Sequence, residues 1–551
     1  MKKILITISL TTIFNLSFSQ TSINQIQKLS TLCKVWGFLK YYHPKVAKGK
    51  YNWDQQLIQK LALIESANTK NEINKIYIDW INKLGKVKIC KECNNNVPDS
   101  LKYNLNLGWL CDTSIFGNEL ISKLNFIKEN RIIKNSYYVR TKYWFKLSSF
   151  DKEKPYDRMS FPPKEYRLLG IFRYWNIINY FYPYKYLIGE NWNNVLDEMI
   201  PRFLDSKDTI DYHLAMLELT NKLNDSHAGL ETPYTRKYLG NYYPSFKFKI
   251  IDNKVIVTGS WNDSLSIIND IQVGDVIVKF NDKKITDLLK EKEKYANGSN
   301  EPTKYRNLIV ILLNSNIDTC RITFERNGQI NSKAVKLYQF SEFHYNWNQQ
   351  IKPVCKDLED NIGYINMGRL ELKQVDSVMK IMMNKKAIIF DVRNYPNGTM
   401  YAIANYLNKD SVPFAKFTKP DFLYPGIFKW EPNYYCGKKN NTDYYRGKVV
   451  ILINESTQSQ AEFTCMALKT APDVTCIGSQ TAGADGNVTT IVFPGGYQTH
   501  MTGLGIYYPD GKETQRIGIV PDIEVKPTIE GIIKHKDEVL ERAIKYINNG
   551  N

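Results

Sequence analysis

After its first twenty residues the chain contains no apolar run near the roughly 18 residues that a membrane span needs. A helix inserted stably in a bilayer is therefore not expected. Nor is a nucleic-acid surface: the net charge is +18, but the lysines are spread along the chain rather than gathered on one face with interleaved stacking groups. The surplus is expected to serve solubility. Cysteine is sparse and odd in number, nine in 551 residues, and only Cys90 and Cys93 stand close together. With Cys33 and Cys111 they would make a four-thiolate zinc set, but an exported chain favours a disulfide. Cys465 and Cys476 lie in apolar surroundings and are expected to pack as small hydrophobes. Histidine is scarcer still, six in all.

The chain starts with Lys2 and Lys3, an apolar stretch from Ile4 to Phe14, and Ser17-Phe18-Ser19 before Gln20. This pattern predicts a signal peptide over residues 1–20 and a mature protein in the periplasm, at the cell surface or outside the cell. No cysteine follows the expected cleavage point, which leaves a lipid anchor without an attachment. The length suits about three domains.

Residues 22–230 look helical and contain a repeat. Trp36-Gly-Phe-Leu-Lys-Tyr-Tyr-His-Pro44, with Asn52, Trp53 and Leu57, returns as Trp175-Asn-Ile-Ile-Asn-Tyr-Phe-Tyr-Pro183, with Asn191, Trp192 and Leu196, at an offset of 139. Two related helical units are expected, with the aromatic stripe as helix–helix core. The first spans 21–160, including a polar, cysteine-containing insert, and residues 152–164 look like a linker. The second spans 161–240. His43 in the first copy is matched by Tyr182 in the second, which points to packing. Residues 241–340 alternate in the manner of a small β-rich module, 341–530 turn to an α/β pattern, and 531–551 form a closing amphipathic helix.

The chemistry concentrates at residues 448–486. Val449 to Ile453 is a continuous apolar run, as a strand buried on both faces requires. Asn454 to Gln460 is small or polar, and from Ala461 the apolar positions fall at helical spacing. Strand, tight turn and helix lift a nucleophile above a sheet edge and aim helix N–H groups at it. Ser456, Thr457 and Ser459 are the hydroxyls on offer; a serine before a helix is also a common N-cap.

Thr457-Gln458-Ser459-Gln460-Ala461-Glu462 resembles the "S-A-S-A-S-E" turn of the tail-specific (C-terminal processing) serine peptidases, which implies that Ser459 is the nucleophile. The run Gly478-Ser479-Gln480-Thr481-Ala482-Gly483-Ala484 resembles the family's "G-E-x-T-x-G-K", with Ala484 at the lysine position. A Ser–Lys dyad is therefore not expected, and the resemblance calls for another base. Asn224-Asp225-Ser226-His227-Ala228-Gly229 resembles the tricorn-type branch, where a histidine is the base and a preceding serine helps orient it. The resemblance thus assigns His227 as base and Ser226 as its support. Val273-Gly-Asp-Val-Ile277 with Phe280 and Asn281 resembles the second half of a PDZ module, although no "G-L-G-F" loop is visible. Asp391-Val-Arg-Asn-Tyr-Pro-Asn397-Gly398 resembles the family's oxyanion loop, which assigns the N–H of Gly398, with that of Gln460, to the oxyanion; an ordinary Asn-Gly turn has the same look. Gly518-Ile-Val-Pro-Asp-Ile-Glu-Val525 resembles the closing strand, and Glu513 before it is the carboxylate available for a Ser-His-Ser-Glu tetrad.

The expectation is a multidomain α+β protein: an N-terminal helical repeat, a PDZ-like β module, and a C-terminal α/β peptidase core, crotonase-like or ClpP-like as in the family. Its expected activity is exported serine-type endopeptidase, acting on peptides or unfolded proteins through Ser459, His227, Ser226 and Glu513, with no metal or organic cofactor. Two other classes stand beside it: a non-catalytic binding protein on the same fold, and an exported scaffold whose aromatic repeat binds glycans or proteins. His227 and Ser459 lie 232 residues apart with the β module between them. They meet only if that module sits beside the core, and residues 228–243 are then a hinge.

Overall fold

The apolar run Lys448–Ile453 is a strand whose last five residues are buried, because both faces of its sheet are covered. Val449, Ile451 and Ile453 pack on one side with the helices Val375–Met382, Met400–Leu407 and Gln460–Leu468. Val450 and Leu452 pack on the other, with Val539 and Ala543 of the helix Glu538–Asn549. The sheet runs Ile523–Glu524, Val474–Gly478, Lys448–Ile453, Ala387–Asp391, Ile362–Asn366, Cys355–Leu358, parallel except for the last pair. Ser459 and the 392–399 loop thus leave the same, carboxyl-terminal edge of neighbouring strands, where α/β sheets place their ligands. The computed structural model describes residues 24–93, 95–132, 136–142, 147–343 and 353–550. The predicted signal peptide lies outside them.

The duplication is structural. Gln25–Tyr42 corresponds to Lys164–Phe181, Trp53–Ser66 to Trp192–Leu204, and Lys70–Lys83 to Thr209–Asn221, all at the same offset. In each copy two tryptophans exchange bonds: Trp36 Nε1 donates to Trp53 O and Trp53 Nε1 to Trp36 O, both at 3.0 Å. Trp175 and Trp192 do the same at 2.7 and 3.1 Å. Each indole N–H is thereby satisfied in a dry core, which explains why both tryptophans recur. The copies face each other about a local two-fold. The equivalent residues Tyr41 and Tyr180 touch at 5.4 Å, and Tyr41–Phe181 is mirrored by Tyr42–Tyr180. A Cβ on Gly37 would overlap the side chain of its own counterpart, Asn176. Both copies therefore share one hydrophobic core.

The proline-rich stretch before the second copy has no regular structure but is fixed by charge. Glu153 pairs with Lys40 at 2.5 Å and with Arg173 at 3.0 Å, and Arg173 also reaches Asp54, all buried. Two cations and two anions balance there, as burial demands.

Residues 246–336 form an antiparallel sheet ordered Phe246–Ile251, Lys254–Ser260, Val276–Phe280, Thr319–Arg326, Gln329–Lys336, with a core of its own. The helix Glu301–Leu312 packs against its edge strand Phe246–Ile251.

Candidate active site

Of the three turn hydroxyls, only Ser459 stands at the start of a helix, Gln460–Leu468. Thr457 is buried and donates to Val392 O at 2.9 Å, tying the turn to the neighbouring strand. Ser456 is exposed, its N–H held by Asn454 Oδ1. Ser459 has φ 56° and ψ −119°, a conformation that costs a non-glycine residue on the order of 1–3 kcal/mol. Its N–H is shared between Ala484 O at 3.0 Å and Glu462 Oε2 at 3.2 Å. The fully buried Glu462 carboxylate also accepts from Ala484 N, Gly483 N and Thr481 Oγ1. Four donors surround it, so the turn is braced from beneath by a single anion.

The 481–484 strap joins this turn to the histidine loop. Ala482 N donates to Thr457 O, and Ala482 O accepts from Ser226 Oγ at 3.4 Å and Thr303 Oγ1 at 3.3 Å. Adjacent to Ser226, the His227 side chain is 10 % exposed. Its Nδ1 lies 2.9 Å from Thr502 Oγ1 and 3.6 Å from Asp225 Oδ1. Asp225 is fully buried and accepts from His227 N, Thr502 N and Thr502 Oγ1. A carboxylate only accepts, so the single Thr502 hydroxyl proton goes to Asp225 and its oxygen receives Nδ1–H. Nε2 then carries the lone pair, the tautomer a general base requires. Burial lowers the His227 pKa below its ordinary value; Asp225 has the next largest effect and opposes it, and the nearby His500 and Arg306 charges add smaller lowering contributions.

Two expected supports lie elsewhere. The Ser226 hydroxyl is engaged with Ser299, at 3.0 Å to Oγ and 2.8 Å to N, and with Ala482 O; it locks the loop to the β module instead of holding the imidazole. Glu513 accepts from Tyr186 O–H at 3.3 Å, beside Tyr507, and has no contact with His227 among the described residues. The groups against the imidazole are Asp225, legible as a neighbour of His227, and Thr502, for which the sequence carries no local signal.

Gly398 has φ 71°, and nothing lies within 4 Å of the place a Cβ would occupy, so its backbone borders open space. Its loop is pinned by Asn397 Nδ2 to Leu370 O and by Asn394 Nδ2 to Asn366 Oδ1. Two residues on, Met400 Sδ lies 3.1 Å from Gln460 Nε2, so the loop borders the N-terminus of the helix Gln460–Leu468. Helix N-termini leave their first N–H groups without intrahelical acceptors.

The β module is built into this arrangement. Besides Ser299 and Thr303, Asn300 Nδ2 donates to Thr481 O at 2.7 Å. Arg306 donates to Glu455 O at 2.8 Å and to Gln458 Oε1 at 2.6 Å, next to Ser459.

Residues 361–525, which hold the Ser459 turn, the 392–399 loop and the closing strand, match the model of peptidase family S41. The chain carries a peptidase family S41 domain. It is the domain of a serine peptidase. Solved structures of mature CPAF resemble a larger part of the chain. One has a TM-score of 0.55 at 13% identity, over 70% of this chain and 99% of the other. A second, complexed with lactacystin, has a TM-score of 0.53 at 15% identity over the same shares. At such identities the likeness is one of fold, and it extends beyond the S41 segment. No curated protein matches the chain. Among the described residues, no helix is long and apolar enough to cross a membrane, and no cluster of His, Cys, Asp and Glu could hold a metal ion.

Proposed function

We propose that this S41 protein is an exported endopeptidase in which Ser459 attacks a peptide carbonyl and His227 is the base. The observation that carries the reading is the strained Ser459 at a helix N-terminus, tied to the same 481–484 strap as the loop of His227, whose Nδ1 faces Thr502 and Asp225. His227 takes the hydroxyl proton as Ser459 attacks and returns it to the leaving amine; water then releases the acyl group by the same route. The N–H groups of Gly398 and Gln460 hold the oxyanion, each worth on the order of 3 kcal/mol. Thr502 and Asp225 orient the imidazole and stabilise its cation, the third-group role of a triad.

The β module is PDZ-like in this reading. A cavity of about 290 Å³ follows the edge strand Phe246–Ile251 and the helix Glu301–Leu312, lined by Ile250, Pro302, Tyr305 and Ile309, and ends at Glu455. An extended peptide adding to that edge would run toward the nucleophile turn. The test is hydrolysis of a denatured, fluorescently labelled protein. The intact chain is expected to cleave it and Ser459→Ala to bind it without cleavage. Binding without turnover by the intact chain would favour a non-catalytic relative.

A further inference from the structure

The duplication continues past the helices into the loops that follow them. Leu84 and Leu223 are equivalent and buried, and the next residues, Gly85 and Asn224, both have positive φ, 79° and 50°. Both loops therefore leave their helix by the same left-handed step. In the second copy the step delivers His227. In the first it delivers Lys88 at that position and, two residues on, the Cys90–Cys93 disulfide. The local two-fold thus sends two equivalent loops to two places on the remainder of the protein: one onto the 481–484 strap, the other toward residues 421–427.

The second landing is specific. Cys90 N donates to Asn130 Oδ1 at 2.7 Å, and Cys93 Sγ lies 3.6 Å from the carbonyl oxygen of Arg131. Arg131 Nε donates to Leu423 O at 2.8 Å, and its guanidinium stacks 3.8 Å from the centre of the Tyr424 ring. Tyr42 O–H donates to Pro425 O at 2.5 Å. A cavity of about 220 Å³ opens between the two sides, with Glu92, Cys93, Arg131, Asp421 and Tyr424 in its wall.

The sulfur chemistry makes that contact sensitive to oxidation state. A disulfide sulfur has no proton, so Cys93 faces the Arg131 carbonyl without a bond to give it. The cross-link to Cys90, rather than a hydrogen bond, therefore keeps Cys93 against that carbonyl. Cys90 is flanked by the exposed cations of Lys88 and Lys91, which draw an incoming thiolate toward it. Both cysteines are half-buried and so reachable from solvent.

We propose that Cys90–Cys93 is a reversible thiol–disulfide exchange site whose state is transmitted through Arg131 to residues 421–427. The co-reactant is a dithiol. Its thiolate attacks Cys90 Sγ, forming a mixed disulfide and breaking the bond to Cys93, which leaves as thiolate and takes a proton. The second thiolate of the dithiol attacks the dithiol's own sulfur in the mixed disulfide and releases Cys90. Two electrons and two protons pass to the protein, and the dithiol leaves as a disulfide. Reduction removes the cross-link that fixes Cys93 under Arg131, and the 421–427 segment loosens with it.

The full chain, in dithiothreitol without denaturant, is alkylated with iodoacetamide and mapped by mass spectrometry, with amide hydrogen exchange followed in parallel. Cys90 and Cys93 are expected to alkylate together while the buried Cys33 and Cys465 stay protected. The amides of Tyr424, Gly426 and Ile427 are expected to exchange at least about 5-fold faster after reduction. Cys90→Ser should show the faster exchange without reductant. Alkylation of the pair only when Cys33 also becomes reactive would mark a structural disulfide and overturn the proposal. So would native reduction that leaves exchange at 424–427 unchanged. The reduced wild-type chain decides the matter even if Cys90→Ser fails to fold.

Discussion

Replacing Thr502 by valine keeps the shape of the side chain and removes one hydroxyl, which separates the Asp225–Thr502–His227 relay from every other feature of the site. Two bonds are lost, the 2.9 Å contact with His227 Nδ1 and the 3.1 Å bond to Asp225 Oδ1. Asp225 keeps the N–H groups of Thr502 and His227. The carboxylate is thus not stranded, and the stability loss should stay near the worth of the two bonds themselves, about 2–4 kcal/mol. The imidazole is affected differently. With no acceptor at Nδ1 it escapes an unpaired buried N–H by moving its proton to Nε2, which is the nitrogen that must be free for catalysis. If the lost bond to this charged network is worth about 1.5–3 kcal/mol, kcat should fall by roughly 10- to 150-fold, with KM little changed because no substrate contact is removed. Thr502→Ser should restore most of the rate. Steady-state hydrolysis of a fluorogenic peptide measures both parameters. Full activity in Thr502→Val, together with a large loss in Glu513→Gln, would refute the relay and reinstate Glu513 as the supporting carboxylate.

Ser459→Gly should be inactive yet more stable than the parent, by about 1 kcal/mol, because glycine relieves the strain at φ 56° and ψ −119°; a lower urea midpoint would contradict that reading of the backbone. Activity should be lost as pH falls through the pKa of His227, because protonation removes the base. Burial, with His500 and Arg306 adding to it, lowers that pKa, so the acid limb should lie below pH 6.5, the ordinary histidine value. His500→Gln should move the limb upward; no movement, or a limb above 6.5, would count against it. Replacing residues 245–337 by a short linker removes Ser299, Asn300, Thr303 and Arg306 from the site. Turnover of short peptides and long proteins should therefore fall together, whereas selective loss on long substrates would mark the module as a gate.

The elements nearest the chemistry were the most legible. A strand buried on both faces needs a continuous apolar run, and Val449 to Ile453 is one; the polar turn and the helix follow from residue type alone. The helical duplication was equally readable, because the two Trp pairs solve the same local problem twice. The contacts between distant segments were not. Thr502 meets His227 across 275 positions, and no pattern around it marks that hydroxyl. Ser226 stands next to His227 in the chain, yet its hydroxyl turns to Ser299, 73 positions away in the β module. Glu513 precedes the closing strand at a plausible spacing, but spacing does not fix direction, and its carboxylate turns to Tyr186. Regular spacing revealed two helical copies without revealing that Gly37 and Asn176 would bring them into one core.

The proposed activation of Ser459 by His227 is open to a direct chemical test. A fluorophosphonate probe reacts covalently only with an activated serine, so mass spectrometry of the adduct tests the claim at the atom concerned. A single adduct is expected on the peptide containing Ser459, absent in Ser459→Ala and formed far more slowly in His227→Ala. An adduct on Ser456, or one on Ser459 that forms at an undiminished rate without His227, would contradict it.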